Sequence, residues 1–352
     1  MKVVFLGLSI TSSWGNGHAT NYRGLVRALR ERGHDVLFLE RDVPWYAAQR
    51  DEPRAGELYR SLDVLRSHEG AVRDADLSVL GSYVPEGVAV GEWLLETAGG
   101  VTAFYDIDTP VTLAKLEAGD EEYLSRDLVP RFDLYLSFTG GPTLERLEHH
   151  FGARRARAFH CLVDPAVYFP GAGGTDLDLG YLGTYSDDRQ PALERLLLEP
   201  AQRSPGRSFA VAGPQYPAEL RWPENVERIE HLPPAQHRAF YARQRFTLSV
   251  TRAEMVTAGW SPSVRLFEAA ACGVPVLSDP WDGLAEFFEP GREILVAQDA
   301  AEVLAHLELP DDERDRIAER ARARVLAEHT AAHRAEELER HVAALRVLGS
   351  RA

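Results

Sequence analysis

The sequence is short of cysteine, of positive charge and of long apolar runs. Cys161 and Cys272 are its two cysteines in 352 residues, far apart and each in apolar surroundings. That excludes a disulfide framework and a thiolate zinc site, and it fits buried thiols in a reducing, cytoplasmic compartment. Lysine and arginine number 39 against 54 aspartates and glutamates, giving a net charge of −15. This balance argues against a nucleic-acid surface and against anionic membranes, so no nucleic-acid partner is expected. An anionic ligand must be met by a local cluster of arginines. No apolar stretch approaches the roughly 20 residues of a membrane span. The opening Met1-Lys-Val-Val-Phe-Leu-Gly-Leu8 is too short an apolar run for a secretory leader and reads as a buried strand. Internal repeats and low-complexity tracts are lacking too.

What is present is an α/β alternation, over a length that suggests about two domains. Residues 2–8 form a strand, 9–18 a polar loop, 19–32 a helix and 34–39 a second strand, a βαβ unit that implies a parallel sheet. Further strands are expected at 77–80, 101–105, 134–137 and 158–162, with 41–60 as surface loop and helix. A Pro- and Gly-rich stretch around Pro170-Gly-Ala-Gly-Gly174 reads as a linker. A second series follows, with strands at 179–183, 209–212, 226–229, 246–250, 275–277 and 294–296. From Asp311 to Leu348 the chain is charged, alanine-rich and helical. The expected architecture is two Rossmann-like, doubly wound α/β domains facing a central cleft. They would span 1–165 and 179–325, with 166–178 as linker and 326–352 as a C-terminal helix. Ligands of such sheets bind at the C-terminal ends of the strands.

The most informative stretch is Ser261-Pro-Ser-Val-Arg-Leu-Phe-Glu268-Ala-Ala-Ala-Cys-Gly-Val-Pro-Val. Ser261 to Ser263 can start a helix, and Gly273 ends it. An ionised Glu268 in so apolar a helix needs a partner. Either a ribose hydroxyl pair or a structural salt bridge to an arginine would serve. The helix start, with free N–H groups, suits a phosphate. Arg189, following Gly183-Thr184, and Arg252 both stand at strand ends, where they could neutralise a diphosphate. In the first half, Gly15-Asn-Gly17-His18 hints at a dinucleotide fingerprint, and Glu40 mimics its acidic ribose ligand. Thr20 stands where the third glycine belongs, which argues against that reading. His18 begins a helix after a strand. Asp106 and Asp108 end another, so a His–Asp general base is one possibility. The alternative is that His18 caps the helix or touches substrate and Asp108 is an N-cap.

These residues together resemble the GT-B glycosyltransferases. The second half resembles the glycosyl transferases group 1 type, and the CgeB-like subgroup most of all. The family's hallmark is Glu, seven residues, Glu, an alanine-rich helix and Cys/Ser-Gly-x-Pro-Val. Glu268 matches the second Glu, and Val163-Asp-Pro and Pro290-Gly-Arg-Glu293 match flanking segments. The resemblance implies transfer of a sugar from a nucleotide-diphosphate sugar, UDP being the expected nucleotide, to an acceptor hydroxyl on a small molecule, glycan or natural product. It implies no metal and no cofactor besides the donor. Glu268 would hold the ribose, His231 and Leu232 the base, and Arg189, Arg252, Ser261 and Ser263 the diphosphate. Gly17, Thr184 and Arg265 complete the expected donor set. The first domain would take the acceptor on Trp14, Trp45, Tyr46 and Asp108, with Tyr105 a further candidate. His18 would be the base and Asp106 its partner. The C-terminal helix would cross back to the first domain. The first Glu of the hallmark is replaced by Trp260, which leaves retention or inversion open. The rival readings are a nucleotide-sugar epimerase on the same fold and a non-catalytic nucleotide-sugar-binding protein.

Overall fold

The computed structural model describes residues 1–349 and divides the chain into two compact units. The first holds Met1–Leu162 and takes up the chain again from Ala331. Its strands are β1 (Lys2–Gly7), β2 (Asp35–Arg41), β3 (Glu57–Tyr59), β4 (Leu77–Gly81), β5 (Val101–Asp106), β6 (Leu134–Ser137) and β7 (Ala156–Ala158). They form one sheet in the order β3-β2-β1-β4-β5-β6-β7, parallel throughout. The connecting helices include α1 (His18–Glu31), α2 (Gly87–Thr97), α3 (Thr109–Glu117) and α4 (Pro142–His149). β1 and β4 are almost wholly buried, as continuous apolar runs in a parallel sheet must be. The strand order reverses between β1 and β4, so the loops after these two strands flank a switch-point crevice.

The second unit, Val163–Thr330, repeats the plan. Its strands are β8 (Leu177–Leu182), β9 (Phe209–Ala212), β10 (Val226–Ile229), β11 (Gln244–Ser249), β12 (Val276–Ser278) and β13 (Leu295–Val296). Their order is β10-β9-β8-β11-β12-β13, again parallel, with the reversal between β8 and β11. Its helices include α5 (Pro234–Ala242), α6 (Ala253–Ala258), α7 (Val264–Ala271), α8 (Leu284–Phe287), α9 (Ala300–Leu307) and α10 (Asp311–Glu328). His237 on α5 is buried between two partners. Its Nε2 donates to the Leu232 carbonyl at 3.1 Å, and its Nδ1 lies 3.1 Å from the Tyr168 hydroxyl. Both ring nitrogens are thereby used in the neutral form.

Three local features differ from the sequence expectation. Glu57–Tyr59 pairs as an edge strand on β2 instead of forming loop and helix. Three residues are too few to show a period-two pattern. The last strand of the first sheet is Ala156–Ala158, and the apolar residues after it leave the sheet. The helical stretch from Asp311 is interrupted at His329 and Thr330 before α11 (Ala331–Gly349). The His329 ring stacks on Phe267 at 4.6 Å, and Thr330 bridges to Val163, so tertiary contacts take the backbone out of the helix. α11 then packs in the first unit. Glu339 accepts both Arg32 nitrogens at 2.7 and 2.6 Å and pairs with His34 at 2.6 Å, while Arg346 meets Asp76.

Leu338 on α11 is 0% exposed. Leu338→Ala is expected to lower the unfolding free energy by about 2–5 kcal/mol, the cost of lost burial plus a cavity, in a urea titration. Burial, helped by the Arg265 charge, pushes His237 down to about 3. The unfolded chain takes up that proton near pH ~6.5. The stability conferred by the neutral ring is therefore complete above that pH and is lost as pH falls from there toward 3. His237→Gln should flatten the fall in stability across this window, measured by denaturant titration at several pH values.

Candidate functional site

In the first unit the loop after β1 is shaped by Glu40, the penultimate residue of β2. One carboxylate oxygen accepts from the amides of Ile10 (2.6 Å) and Thr11 (2.8 Å), the other from the Thr11 hydroxyl (2.7 Å). Glu40 is a loop anchor with both oxygens engaged, which accounts for its likeness to an acidic ribose ligand. Asn16 Oδ1 accepts from the Ala19 amide at 3.2 Å and closes the loop onto α1. Gly17, expected on the donor side, is the residue that precedes α1, in the first unit.

His18 opens α1 and is 6% exposed. Its Nε2 lies 3.7 Å from Asp108 Oδ2, and its buried Nδ1 has no hydrogen-bond partner. The Tyr83 ring meets it edge-on at 5.7 Å. Tyr83 follows β4 and carries φ +62°, a left-handed backbone uncommon for an aromatic residue. The carboxylate facing His18 is thus Asp108, where Asp106 had been expected. Asp106 ends β5 and points into the core, accepting from Tyr135 Oη (2.6 Å), Thr112 Oγ1 (2.8 Å) and the Asp108 amide (3.2 Å). Complete burial pushes its carboxyl up to about 6 against those bonds. Asp108 stands at the cap position of α3, yet its side chain makes no capping bond and turns to His18. Among the expected acceptor aromatics, Tyr105 is core, its hydroxyl accepting from Asn21 at 2.9 Å. Tyr46 is buried with its hydroxyl 3.3 Å from Asn16 Nδ2, Trp14 is half-buried, and Trp45 is 56% exposed. Sequence reasoning missed Tyr83. Its only signal was the Pro85-Glu-Gly87 turn closing an apolar strand.

In the second unit the loops after β8 and β11 meet at the sheet reversal. Arg189 is folded onto its own loop, donating to Thr184 O (2.8 Å) and Ser186 Oγ (2.9 Å). Arg252 Nε lies 3.5 Å from Asp188 Oδ2, and Asp188 also accepts from the Ala253 amide at 3.1 Å. The structure brings Thr184, Asp188, Arg189 and Arg252 together, with an acidic residue that sequence reasoning had not placed there. Ser263 caps α7, accepting from the Arg265 amide at 3.3 Å. Ser261 instead donates to the Gly259 carbonyl at 2.7 Å. Arg265 reaches from α7 to the end of β8, donating from Nε to Leu182 O (3.1 Å) and from Nη1 to Glu268 Oε2 (3.0 Å). Glu268 is 0% exposed, and the Tyr241 hydroxyl stands 3.5 Å from the same Oε2. Its Oε1 is buried without a hydrogen-bond partner. Burial raises the Glu268 carboxyl, and Arg265 opposes the rise. The salt bridge weighed for Glu268 therefore exists, and it uses one of the two oxygens. His231 is exposed after β10, and the Leu232 carbonyl is taken by His237. Trp260 holds φ +44°, with its indole nitrogen 2.5 Å from Glu286 Oε1.

Residues 189–340 match the family model described as glycosyl transferase-like. No characterised protein matches the chain by sequence. Solved structures do match along its whole length. Sucrose-phosphate synthase from Thermosynechococcus elongatus is 14% identical, covers 100% of both chains and has a TM-score of 0.69. HepE of Anabaena, in complex with UDP and glucose, is 14% identical over 98% of this chain and 100% of its own, TM-score 0.72. An α-glucosyltransferase in complex with UDP-glucose and DNA is 12% identical over 97% and 98%, TM-score 0.74. That last structure corrects the expectation drawn from net charge that nucleic acid is excluded as a partner. A protein of this fold does bind DNA, because binding depends on the local field of one face and not on the total charge. Among the described residues no helix is long and apolar enough to cross a membrane. The chain thus has the two-domain GT-B fold of these glycosyltransferases, and its residues 189–340 form a glycosyl transferase-like domain.

Proposed function

We propose that the protein transfers a sugar from a UDP-sugar to an acceptor hydroxyl on a small molecule or a glycan, without a metal ion. The observation that carries this reading is Glu268. It is a carboxylate with no exposure, inside the matched domain, pinned through Oε2 to Arg265, with the Tyr168 and Tyr241 hydroxyls acting on it and Oε1 outside hydrogen-bond geometry. A buried acceptor left unsatisfied is costly, and a ribose hydroxyl is a donor that would satisfy it. UDP is favoured because HepE is described with UDP, and an α-glucosyltransferase of the same fold with UDP-glucose.

Residues 179–325 act as the donor domain. His231 and Leu232 take the base, Glu268 and Arg265 the ribose. Arg252, Thr184, Arg189 and the start of α7 at Ser261 and Ser263 take the diphosphate. Arg252 and the N–H groups of the helix start supply the positive field that a leaving diphosphate needs, so a metal is not required for that step. Residues 1–165 act as the acceptor domain, with Trp14, Trp45 and Tyr46 near the His18 loop. His18 takes the proton from the acceptor hydroxyl, and Asp108 orients the ring and stabilises its charged form. Asp106 serves by holding the turn that presents Asp108. The buried thiols Cys161 and Cys272 favour a reducing, cytoplasmic setting.

Calorimetry with UDP, GDP and dTDP tests the donor. UDP should bind, and Glu268→Gln should weaken it at least about tenfold, the loss of a hydrogen bond to a charged group. Unchanged UDP affinity in that variant would remove Glu268 from the ribose. His18→Ala should cut the transfer rate about a hundred- to ten-thousand-fold at unaltered donor affinity, as loss of a general base does. Asp108→Asn should also lower the rate, and chelation with EDTA should leave the wild-type rate as it is.

A further inference from the structure

Trp260 occupies the position at which the resembling family carries its first hallmark glutamate, and it does so under backbone strain. Its φ of +44° lies in the left-handed region, which a bulky side chain seldom adopts. Such a conformation persists only where the surroundings over-determine it, and it gathers at functional sites. Here the surroundings are the loop between β12 and α8. The Trp260 amide donates to the Asp282 carbonyl at 2.6 Å. The indole lies so close over Gly283 that a Cβ there would stand 2.5 Å from the ring. Gly259, at φ +65°, approaches the same loop, where a Cβ would stand 2.7 Å from the Asp282 carbonyl oxygen. The indole Nε1 donates to Glu286 Oε1 at 2.5 Å. Glu286 itself is exposed.

These contacts join the segment following β11 to the segment following β12, adjacent strands of one sheet. Both lie at C-terminal strand ends, where ligands of such sheets bind. The result is an exposed carboxylate whose one oxygen is fixed by the indole N–H of the residue that precedes Ser261. A carboxylate accepts hydrogen bonds and does not donate them. Next to a diphosphate it would be repelled, whereas a sugar hydroxyl is a donor that it can accept from. We propose that Glu286, oriented by Trp260, accepts hydrogen bonds from the hydroxyls of the transferred sugar. Glu286 is the sugar-contacting residue and Trp260 a positioning residue. The proposal rests on the donor reading given above.

The test compares binding of UDP with that of UDP-glucose, UDP-galactose and UDP-N-acetylglucosamine, by calorimetry on the full chain. Glu286→Gln keeps an oxygen for the indole N–H but replaces the second acceptor with an amide. It should leave UDP affinity within about twofold and weaken the best-bound UDP-sugar about tenfold, the scale of one hydrogen bond to a charged group. Glu286→Ala should weaken it further. Trp260→Phe, which removes the indole donor, should reduce the discrimination between UDP-sugar and UDP while UDP still binds, a readout that a purely structural role would not move. If Glu286→Ala binds both ligands as the wild type does, the sugar-contact proposal is overturned and the donor reading stands. If the wild type binds neither UDP nor any of the three sugars, the donor reading fails and takes the proposal with it.

Discussion

The pair of buried Glu268 and half-buried Arg265 ties helix α7 to the sheet of the second unit. A carboxylate with no exposure on an alanine-rich helix must be neutralised where it stands, because the desolvation of an unpaired charge costs several kcal/mol. Arg265, one turn earlier, does this and also donates to Leu182 at the end of β8. The pair therefore fixes the rotation of α7 and ties its first turn to the strand that borders the sheet reversal. The capped start of α7 and the loop after β8 are placed by the same contact. Tyr168 and Tyr241 lie against it, and both hydroxyls are pushed well above their usual range by burial and by the neighbouring Glu268 charge. An arrangement in which one oxygen of the carboxylate is used for folding and the other left over suits a residue that serves both architecture and ligand.

The first unit solves a comparable problem by separating the two tasks. Asp106 is wholly architectural: three donors hold it inside the sheet, and burial raises its carboxyl to about 6. Asp108, two residues on, is left free of capping duty and faces His18. Glu40 does for the β1 loop what Asp106 does for the β5 turn, using both oxygens to fix backbone. Buried carboxylates at the ends of β2 and β5 thus shape the two loops that deliver His18 and Asp108 to one place.

Much of this was legible in the sequence. Continuous apolar runs marked most strands of both sheets. The Ser-rich start and glycine stop located α7 within a residue or two. The choice between Asp106 and Asp108 was not legible. The strand ends at Asp106, so the alternation of side chains along a strand no longer applies at residue 108, and only the three donors around Asp106 decide which carboxylate turns inward. The interruption at His329 and Thr330 was hidden for a similar reason. Helical periodicity continues through it, and the break is made by stacking on Phe267, a residue about sixty positions away in sequence. Asp188 escaped notice because its partner Arg252 comes from another strand end.

Net charge shows the same limit from the other side. A total of −15 is a statement about the sum, whereas recognition depends on where charges converge. In the second unit Arg189 is turned back on Thr184 O and Ser186 Oγ of its own loop and Arg252 is shared with Asp188, so the positive field at the sheet reversal is weaker than a count of arginines suggests. A diphosphate there would have to draw Arg252 from Asp188 or rely on the N–H groups at the start of α7. Helix α7 can keep those groups in place, because Arg265 anchors its first turn to β8. The fixed dipoles of an anchored helix lose no side-chain freedom on binding, while a long arginine does. On the donor reading proposed above, anion binding in this domain should therefore depend more on the anchored helix than on the arginine side chains, and the Glu268–Arg265 contact would then matter to the phosphates as well as to the ribose.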